Sequence, residues 1–409
     1  MPHVIMVAPN FPANQRRFVR GLKNVGARVT GLGDTPVDRL DPEIRELLDG
    51  YESVPALGDV DSMTEAVRRI QARGPWVDRL EATVEAHVLA TAHVRERTGI
   101  PGLSSSTVNY CRDKFVMKQE LRQKGIPCAA NAIVNRAEDA VGFVREQGYP
   151  VILKPRDGAG AASTYRIDDD KGLWAALRET GLDKHERYFT MEEFIAGHEG
   201  YFDTLTCHGE VVFEAVTHYY PNVLEGMRDR AVSPQMIATN RIDAPGYSEL
   251  RAFGRRVVAE LGLSTTATHM EWFAGAKGLY FSEIGARPPG CNWWDTYCAA
   301  NDFDLYTEWA RALVWGKVAE RPSRQYAAGL VALRPNQDGT IAGYSGLDEV
   351  QRKYGSLIFR MHLPAVGQRT QPVEAGYLAN AYVCVRHPDY DVVRAILDDI
   401  GANLRVWAH

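Results

Sequence analysis

The ten residues FSEIGARPPG, at positions 281–290, place a carboxylate and a guanidinium at the end of a predicted strand. Glu283 and Arg287 flank a glycine, and Pro288 and Pro289 restrict the backbone that follows. A rigidly held arginine suits bidentate binding of a carboxylate or a phosphate, although a structural salt bridge is the alternative. The segment is therefore a candidate site for charged ligands.

A second carboxylate, Glu271, lies in the preceding predicted strand, THMEWF. Side chains alternate along a strand, so His269 and Glu271 share one face. If the hairpin pairs in even register, Glu271 and Glu283 also face the same way, and two such like charges need a cation or solvent. Two carboxylates with phosphate oxygens are typical of a Mg²⁺ site, and a solvated surface pair is the alternative.

Three lysines could supply positive charge nearby. Lys154 ends the apolar strand YPVILKP and precedes the small-residue loop DGAGAAST at 157–164. Backbone N–H groups of such a loop can cradle an anion beside the lysine. Lys114 and Lys118 lie four residues apart on a helix predicted over 107–124 and so share one face. A plain turn and a solvated helix face are the alternatives.

An acidic segment, MEEFIAGHE at 191–199, follows these lysines along the chain. Its last residue, Glu199, comes shortly after Gly197, at a predicted bend from which a carboxylate could reach a ribose hydroxyl. An ordinary acid in a surface loop is the alternative interpretation.

The elements that must position these residues belong to a mixed α/β and α+β protein. The first 33 residues predict strand, helix and strand in a Rossmann-like order, but GxGxxG is absent, which argues against a dinucleotide there. Hairpins are predicted over 201–220 and 268–286, the second with a five-residue turn, and helices over 82–98, 248–261 and about 302–315. From about residue 325, strands with one late helix (about 389–400) predict a small C-terminal domain.

The composition argues against several classes of protein. The chain has 409 residues, 45% of them hydrophobic and 24% charged, with a net charge of -5, so it provides no general attraction to nucleic acid. No apolar run is long enough for a membrane span. The six cysteines form no CxxC pair, and the first residues do not resemble a signal peptide, so the sequence predicts a cytoplasmic protein.

The order of these residues along the chain resembles the ATP-grasp superfamily. The series begins with a helix lysine (Lys114) and a strand lysine before a small-residue loop (Lys154), continues with EEFI and Glu199, and ends with Glu271, Glu283 and Arg287. The resemblance covers roughly residues 1–315, and its most specific part is 268–290. The chain is most similar to the carboxylate-amine ligases of that superfamily, such as D-alanine:D-alanine ligase, biotin carboxylase and bacterial L-amino acid ligases.

The resemblance implies an ATP-grasp fold in three parts. A Rossmann-like domain would span 1–105 and the ATP-grasp domain 106–320, with small (about 120–195) and large (about 196–320) α+β subdomains that clasp ATP. A C-terminal α+β domain would span 321–409. ATP and Mg²⁺ are the implied cofactors, with two ions and Mn²⁺ as an alternative metal, and homodimers are common among such enzymes.

The resemblance also implies a role for individual residues. Phosphates would be bound by Lys114, Lys154, Gly158, Gly160, Ala161 and Ser163, adenine by the backbone of Glu192, Glu193, Phe194 and Ile195, and ribose by Glu199. Glu271 and Glu283 would hold the metal, and Arg287, with Lys154, would act in catalysis. One departure is Gly285, where many relatives have an asparagine that binds metal, and this puts the metal stoichiometry in doubt.

The substrate-binding residues are predicted from aromatic and basic side chains near the predicted strand that carries Glu283. They are His218, Tyr219, Arg228, Arg230, His269, Arg287, Asn292 and Trp293. Core packing explains Trp293 equally well.

The predicted reaction activates a carboxylate as an acyl phosphate and couples it to an amine, with release of ADP and phosphate. No nucleophilic constellation is needed, because phosphoryl transfer depends on positioning and cations. One alternative is a formate- or bicarbonate-activating enzyme of the purine-pathway type. Another is an ATP-binding regulator without catalysis. Among the partners, only small-molecule acids and amines are predicted.

Overall fold

The N-terminal part is a layered α/β unit. In a computed structural model, which describes residues 1–158 and 163–409, its elements are β1 (His3–Val7), α1 (Gln15–Asn24), β2 (Arg28–Gly33), α2 (Pro42–Leu47), β3 (Gly50–Ser53), α3 (Val60–Arg73), β4 (Arg79–Glu81) and α4 (Glu85–Thr98). The four strands form a parallel sheet in the order β3-β2-β1-β4. The predicted Rossmann-like opening is confirmed.

A small α+β unit follows. It comprises α5 (Ser105–Tyr110), α6 (Lys114–Gln123), β5 (Asn131–Val134), α7 (Ala137–Gln147), β6 (Val151–Pro155), β7 (Tyr165–Ile167), α8 (Asp170–Thr180) and β8 (Phe189–Glu193). Its antiparallel sheet has the order β5-β8-β6-β7, and apolar residues of α7 and α8 pack on that sheet.

The helix predicted over 107–124 is in fact two helices. Residues 111–113 separate α5 from α6, because the Asp113 carboxylate caps α6 by accepting hydrogen bonds from the N–H groups of Phe115 (2.9 Å) and Val116 (3.2 Å). The break starts a new helix immediately before the two lysines.

The next elements build a large antiparallel sheet. They are β9 (Gly197–Cys207), β10 (Glu210–Tyr220), α9 (Val223–Gly226), β11 (Gln235–Ala238), α10 (Ser248–Glu260), β12 (Ala267–Gly275), β13 (Gly278–Gly285), α11 (Trp293–Asn301) and α12 (Leu305–Trp315). Both predicted hairpins form. The second has a two-residue loop, not the predicted five-residue turn, because Gly275 pairs with Gly278. Helix α11 was not predicted.

The C-terminal elements extend the same sheet by three strands, and their other two strands pair with each other in a separate small sheet. They are β14 (Ala327–Leu333), β15 (Ile341–Ser345), α13 (Leu347–Tyr354), β16 (Ile358–His362), β17 (Ala381–His387), α14 (Tyr390–Asn403) and β18 (Arg405–Ala408). Pairing of β11 with β14 gives an eight-stranded order β13-β12-β9-β10-β11-β14-β17-β16. The predicted boundary near residue 320 therefore lies between strands of one sheet, and the domain division stays a prediction.

One large core joins the N-terminal unit to this sheet. Phe18 of α1 contacts the rings of Trp294, Tyr306 and Trp309 at centroid distances of 4.8–5.2 Å. The N-terminal unit is thereby fixed against the helices that follow β13. Among the described residues, no helix is long and apolar enough to cross a lipid bilayer.

Candidate active site

A cavity of about 1070 Å³ lies between the small sheet and one face of the large sheet. This volume is at the upper end of the range for a single small-molecule pocket, which leaves room for a nucleotide and a second substrate. Most of the predicted site residues line it: Lys114, Lys154, Gly158, Glu192, Glu193, Phe194, Ile195, Glu199, Tyr219, Arg228, His269, Glu271, Glu283 and Arg287.

The two predicted metal carboxylates lie on adjacent strands. Glu271 of β12 is directly opposite Glu283 of β13, so the two side chains point to the same face, as the even register required. The Lys114 Nζ is 3.3 Å from a carboxylate oxygen of Glu283. Although burial raises the pKa of Glu283, the charges of Lys114, Lys154 and Lys118 lower it to about 2. Glu283 is therefore ionised at neutral pH.

Lys118 and Lys154 hold one carboxylate between them. The Glu192 Oε2 atom lies 2.6 Å from Lys118 Nζ and 2.9 Å from Lys154 Nζ. Lys118 is 1% exposed, so the alternative of a solvated helix face is wrong for this residue. Burial lowers the pKa of Lys118 to about 8, partly offset by Glu192. The two ammonium groups thus bracket the start of the predicted adenine segment.

Asp113 fixes the helix that carries these lysines. Besides capping α6, its carboxylate accepts hydrogen bonds from Arg156, at 2.5 Å and 3.2 Å, and from the Tyr188 hydroxyl, at 2.7 Å. The Lys114 N–H donates to the carbonyl of Arg156. Sequence reasoning missed Asp113, although an aspartate directly before a helical stretch is a recognisable N-cap signal.

Arg287 is oriented by a carboxylate from the N-terminal unit. Its Nε donates to Glu85, the first residue of α4, at 2.5 Å, and a guanidinium N–H donates to the Pro288 carbonyl at 2.7 Å. Glu85 also pairs with Arg112 at 3.4 Å. A side chain at Gly285 would meet this pair, because a Cβ there lies 3.1 Å from Glu85 Oε2. Glu85 is 202 positions from Arg287, so sequence reasoning missed it.

His269 connects the carboxylate pair to the core. Its Nδ1 lies 2.7 Å from Asp203, which also accepts a hydrogen bond from the Tyr297 hydroxyl at 2.6 Å. Its Nε2 lies 3.8 Å from Glu271. Burial lowers the pKa of His269, but the charge of Asp203 and further hydrogen bonds raise it to about 9. The imidazolium therefore places a positive charge beside Glu271.

Glu199 is a third carboxyl group in this part of the cavity. Its carboxylate accepts a hydrogen bond from the Val223 N–H at 2.7 Å. Burial and then the charge of Glu271 raise the pKa of Glu199 to about 8. The structure thus has closely spaced carboxylates that repel one another and that a divalent cation would stabilise.

The donor set fits Mg²⁺ when nucleotide phosphates complete it. The described residues include no group of three or more histidine, cysteine, aspartate or glutamate side chains that could hold a metal alone. Glu271 and Glu283 provide two hard oxygen donors, and Mg²⁺ commonly takes one or two carboxylates together with phosphate oxygens and waters.

Part of the predicted phosphate loop can be described. Gly158 lines the cavity, and its carbonyl accepts a hydrogen bond from Lys114. Ser163 is exposed, with a φ of 53°. Gly160 and Ala161 lie outside the described residues.

Four of the eight predicted substrate residues are not among the described residues that line this cavity. His218 is on the opposite face of β10, where its Nδ1 contacts His198 and its Nε2 contacts the Tyr247 hydroxyl, both at 2.8 Å. Arg230 pairs with Asp338 at 2.6 Å. Trp293 is in the core, 1% exposed, and Asn292 precedes α11 in a left-handed conformation.

No protein-family model matches the chain. Among curated proteins, it is 28% identical over 237 residues to an L-arginine-specific L-amino acid ligase of Bacillus subtilis, over 57% of this chain and 56% of that protein. It is 24% identical over 213 residues to an alanine-anticapsin ligase of the same species, over 47% and 44%. The matches thus span about half the length of these relatives.

Solved structures match over nearly the whole chain. An L-amino acid ligase from Bacillus licheniformis superposes with a TM-score of 0.78 at 19% identity and covers 100% of this chain and 99% of its own. The biotin carboxylase domain of the 2-oxoglutarate carboxylase of Hydrogenobacter thermophilus, in complex with MgADP, ADP and bicarbonate, gives 0.68 at 17% identity, over 98% and 90%. The predicted ATP-grasp fold is confirmed: the chain shares this fold over nearly its whole length with the L-amino acid ligase.

Proposed function

We propose that the protein is an ATP-dependent carboxylate-amine ligase that forms an amide or peptide bond from two small molecules. The observation that carries this proposal is the arrangement around Glu271 and Glu283. Lys114 contacts Glu283 of this carboxylate pair. Lys114, Lys154 and Arg287 line the same cavity as the pair. Cations near a carboxylate pair suit transfer of a phosphoryl group between two anions.

The proposed chemistry has two steps. An oxygen of the substrate carboxylate attacks the γ-phosphorus of ATP, the bond to the bridging oxygen breaks, and an acyl phosphate and ADP form. The amine then attacks the acyl carbon, loses a proton and expels inorganic phosphate. Bound Mg²⁺, held by Glu271 and Glu283, would supply charge neutralisation at the phosphates. The number of ions stays a prediction.

The residues of this chain have distinct proposed roles. Lys114 and Lys154 neutralise phosphate charge, while the segment 192–195 binds adenine and Glu199 binds ribose. Arg287, held by Glu85, stabilises the oxyanion of the tetrahedral intermediate, because a guanidinium can donate two parallel hydrogen bonds to it.

A formate- or bicarbonate-activating enzyme is the second candidate. It is favoured by one specific observation, the fold match to a biotin carboxylase domain whose crystals contain bicarbonate and MgADP. It would share the nucleotide site but would activate formate or bicarbonate and transfer the activated group to a nucleotide or biotin substrate.

The test is release of ADP from the purified protein with ATP and Mg²⁺ across a matrix of amino acids and other small acids, alone and in pairs. The proposal expects release that requires one acid and one amine, with a product whose mass is one water below their sum. Release stimulated by formate or bicarbonate would support the second candidate. ATP binding without release for any pair would favour a non-catalytic regulator.

A further inference from the structure

One face of the large sheet changes from charged to apolar within the cavity. Glu283 is opposite Glu271, and Glu271 is opposite Tyr201 on the next strand. The rings of Tyr201 and Tyr219 are 5.1 Å apart, and Met236, opposite Tyr219, lies 3.9 Å from the Tyr201 hydroxyl. Paired residues of an antiparallel ladder point to the same side. The carboxylates and this apolar patch therefore form one continuous floor.

The wall over this patch comes from the C-terminal segment 373–377. Tyr377 stacks on Tyr219 with ring centroids 6.2 Å apart and an interplanar angle of 24°. Its side chain is 6% exposed, yet its hydroxyl has no hydrogen-bond partner among the described residues. Burial raises the pKa of Tyr377, and the charge of Glu199 raises it further. A buried hydroxyl without a partner is costly unless a ligand supplies one.

A buried arginine holds this wall in place. Arg334 donates to the carbonyls of Val373 (3.1 Å), Gly376 (3.2 Å) and Gly226 (3.2 Å), and it contacts Met227. No carboxylate among the described residues forms an ion pair with its guanidinium. The Arg334 guanidinium therefore joins two segments of the cavity wall that are far apart in sequence. Lysine cannot reproduce this planar arrangement of hydrogen-bond donors.

The charged side chains that the segments 223–229 and 373–377 contribute to the cavity lining lie at its mouth. Glu225, Arg228, Asp229 and Glu374 line the cavity but are exposed. The buried lining beyond the carboxylates consists of aromatic rings and thioethers, including Tyr219, which is buried in the apolar cluster of the floor. Such a lining favours a large apolar group and disfavours a charged one, since a buried charge without a partner is expensive.

We propose that this part of the cavity, formed by Tyr201, Tyr219, Met227, Met236 and Tyr377, binds an amino-acid substrate with an aromatic or large aliphatic side chain. The Tyr377 hydroxyl accepts a hydrogen bond from the α-ammonium group, because the nearby carboxylates favour a cation there. Arg334 acts as a positioning residue. The inference rests on the proposed ligase function and specifies its substrate class.

The test compares kcat and KM for L-phenylalanine, L-leucine and L-methionine with those for L-aspartate, L-lysine and glycine. We expect kcat/KM at least about tenfold higher for the first group, the size expected for a few buried methylene groups. Tyr377→Phe should raise the KM of the preferred amino acid about tenfold and leave that of ATP within about twofold, as expected for loss of one hydrogen bond. Arg334→Lys should change the KM of the amino acid and the KM of ATP in the same way as Tyr377→Phe.

Matched controls separate this effect from general loss of folding. Tyr354→Phe removes a hydroxyl that bonds Asp399 outside the cavity, and Arg405→Lys changes an exposed arginine. Both variants should behave like the wild type. Turnover confined to charged or small amino acids, or a Tyr377→Phe variant whose ATP and amino-acid KM values change equally, would overturn the subsite while the ligase assignment stands.

A binding measurement keeps the two proposals distinguishable. The wild-type protein, loaded with Mg²⁺ and a non-hydrolysable ATP analogue, is titrated in a calorimeter with L-phenylalanine and with L-aspartate. Phenylalanine that binds at least about tenfold more tightly than aspartate would support the subsite. If the separate turnover assay with ATP then showed no ADP release, the ligase proposal alone would fail. No preference for phenylalanine would overturn the subsite.

Discussion

At the scale of single residues, the pair formed by Glu271 and Glu283 determines the proposed chemistry. Glu283→Gln keeps the side-chain size but removes one of the two carboxylates that would bind Mg²⁺. We expect ADP release to fall by at least about 100-fold, as for loss of a preorganised electrostatic contact. Steady-state ADP release measures this, with the exposed Glu210→Gln as a control that keeps wild-type activity. A Glu283→Gln enzyme of normal rate would remove Glu283 from the mechanism.

Glu85 should affect the rate by orienting Arg287. Glu85→Gln loses the charged hydrogen bond of 2.5 Å that orients the guanidinium. We expect kcat to fall about 10- to 100-fold, because a misplaced group loses much of the advantage of orientation, and the KM of ATP to stay nearly constant. Arg287→Ala should give a drop in kcat at least as large. If Glu85→Gln changed mainly the KM of ATP, Glu85 would act at the nucleotide instead.

At the scale of elements, Asp113 joins α6 to the small sheet. Asp113→Asn can still accept the capping hydrogen bonds but leaves Arg156 without its buried partner. We expect a loss of about 3 kcal/mol in the free energy of unfolding, measured by urea denaturation. Asp59→Asn is a matched control, because Asp59 caps α3 but forms no ion pair with any arginine in the described part of the chain.

The effect of Asp113 should depend on pH. Burial raises its pKa, but hydrogen bonds from Arg156 and Tyr188 hold the pKa below its ordinary value. A carboxylate with a lowered folded pKa stabilises the fold above its unfolded pKa of about 3.9, and this contribution is lost as the pH falls through the folded pKa. The difference between wild type and Asp113→Asn should therefore shrink below about pH 4. A difference that stayed constant down to pH 3 would contradict this ion pair.

The strands and helices also show which features of the fold the sequence alone can predict. Period-two alternation placed Glu271 and Glu283 on one face only if the hairpin register was even, and the predicted five-residue turn was wrong. The structure has a two-residue loop, and a register shift between Glu271 and Trp272 brings Glu271 opposite Glu283. The break before Lys114 was missed although its N-cap was visible. Contacts of Glu85 with Arg287 and of Arg334 with Val373 join distant parts of the chain, and no local pattern specifies them.

His218 and Tyr219 illustrate the same limit. Both were predicted to line the substrate pocket, but neighbouring residues of a strand point to opposite faces, so only one of them can do so. The structure places Tyr219 in the cavity. Which of the two faces carries the site depends on how the small sheet and the C-terminal segment pack, and that information is not local.

At the scale of the whole molecule, nucleotide binding should join the small sheet to the large one. Residues from both line the cavity, among them Lys154 and Glu283. A ligand that binds only the folded state at 100 times its Kd adds about 2.7 kcal/mol to the stability. We expect a non-hydrolysable ATP analogue with Mg²⁺ to raise the Tm by several degrees, and EDTA to remove most of this shift. A full shift in EDTA would contradict metal-assisted binding.

The most direct test of the account follows the oxygen atoms of the acid. A reactive carboxylic acid labelled with ¹⁸O in both oxygens is incubated with ATP, Mg²⁺, the amine and the enzyme, and the products are analysed by mass spectrometry. Attack of the carboxylate on the γ-phosphorus requires that one ¹⁸O atom appear in inorganic phosphate and that ADP be unlabelled. Phosphate without the label, or label in AMP, would contradict an acyl phosphate intermediate.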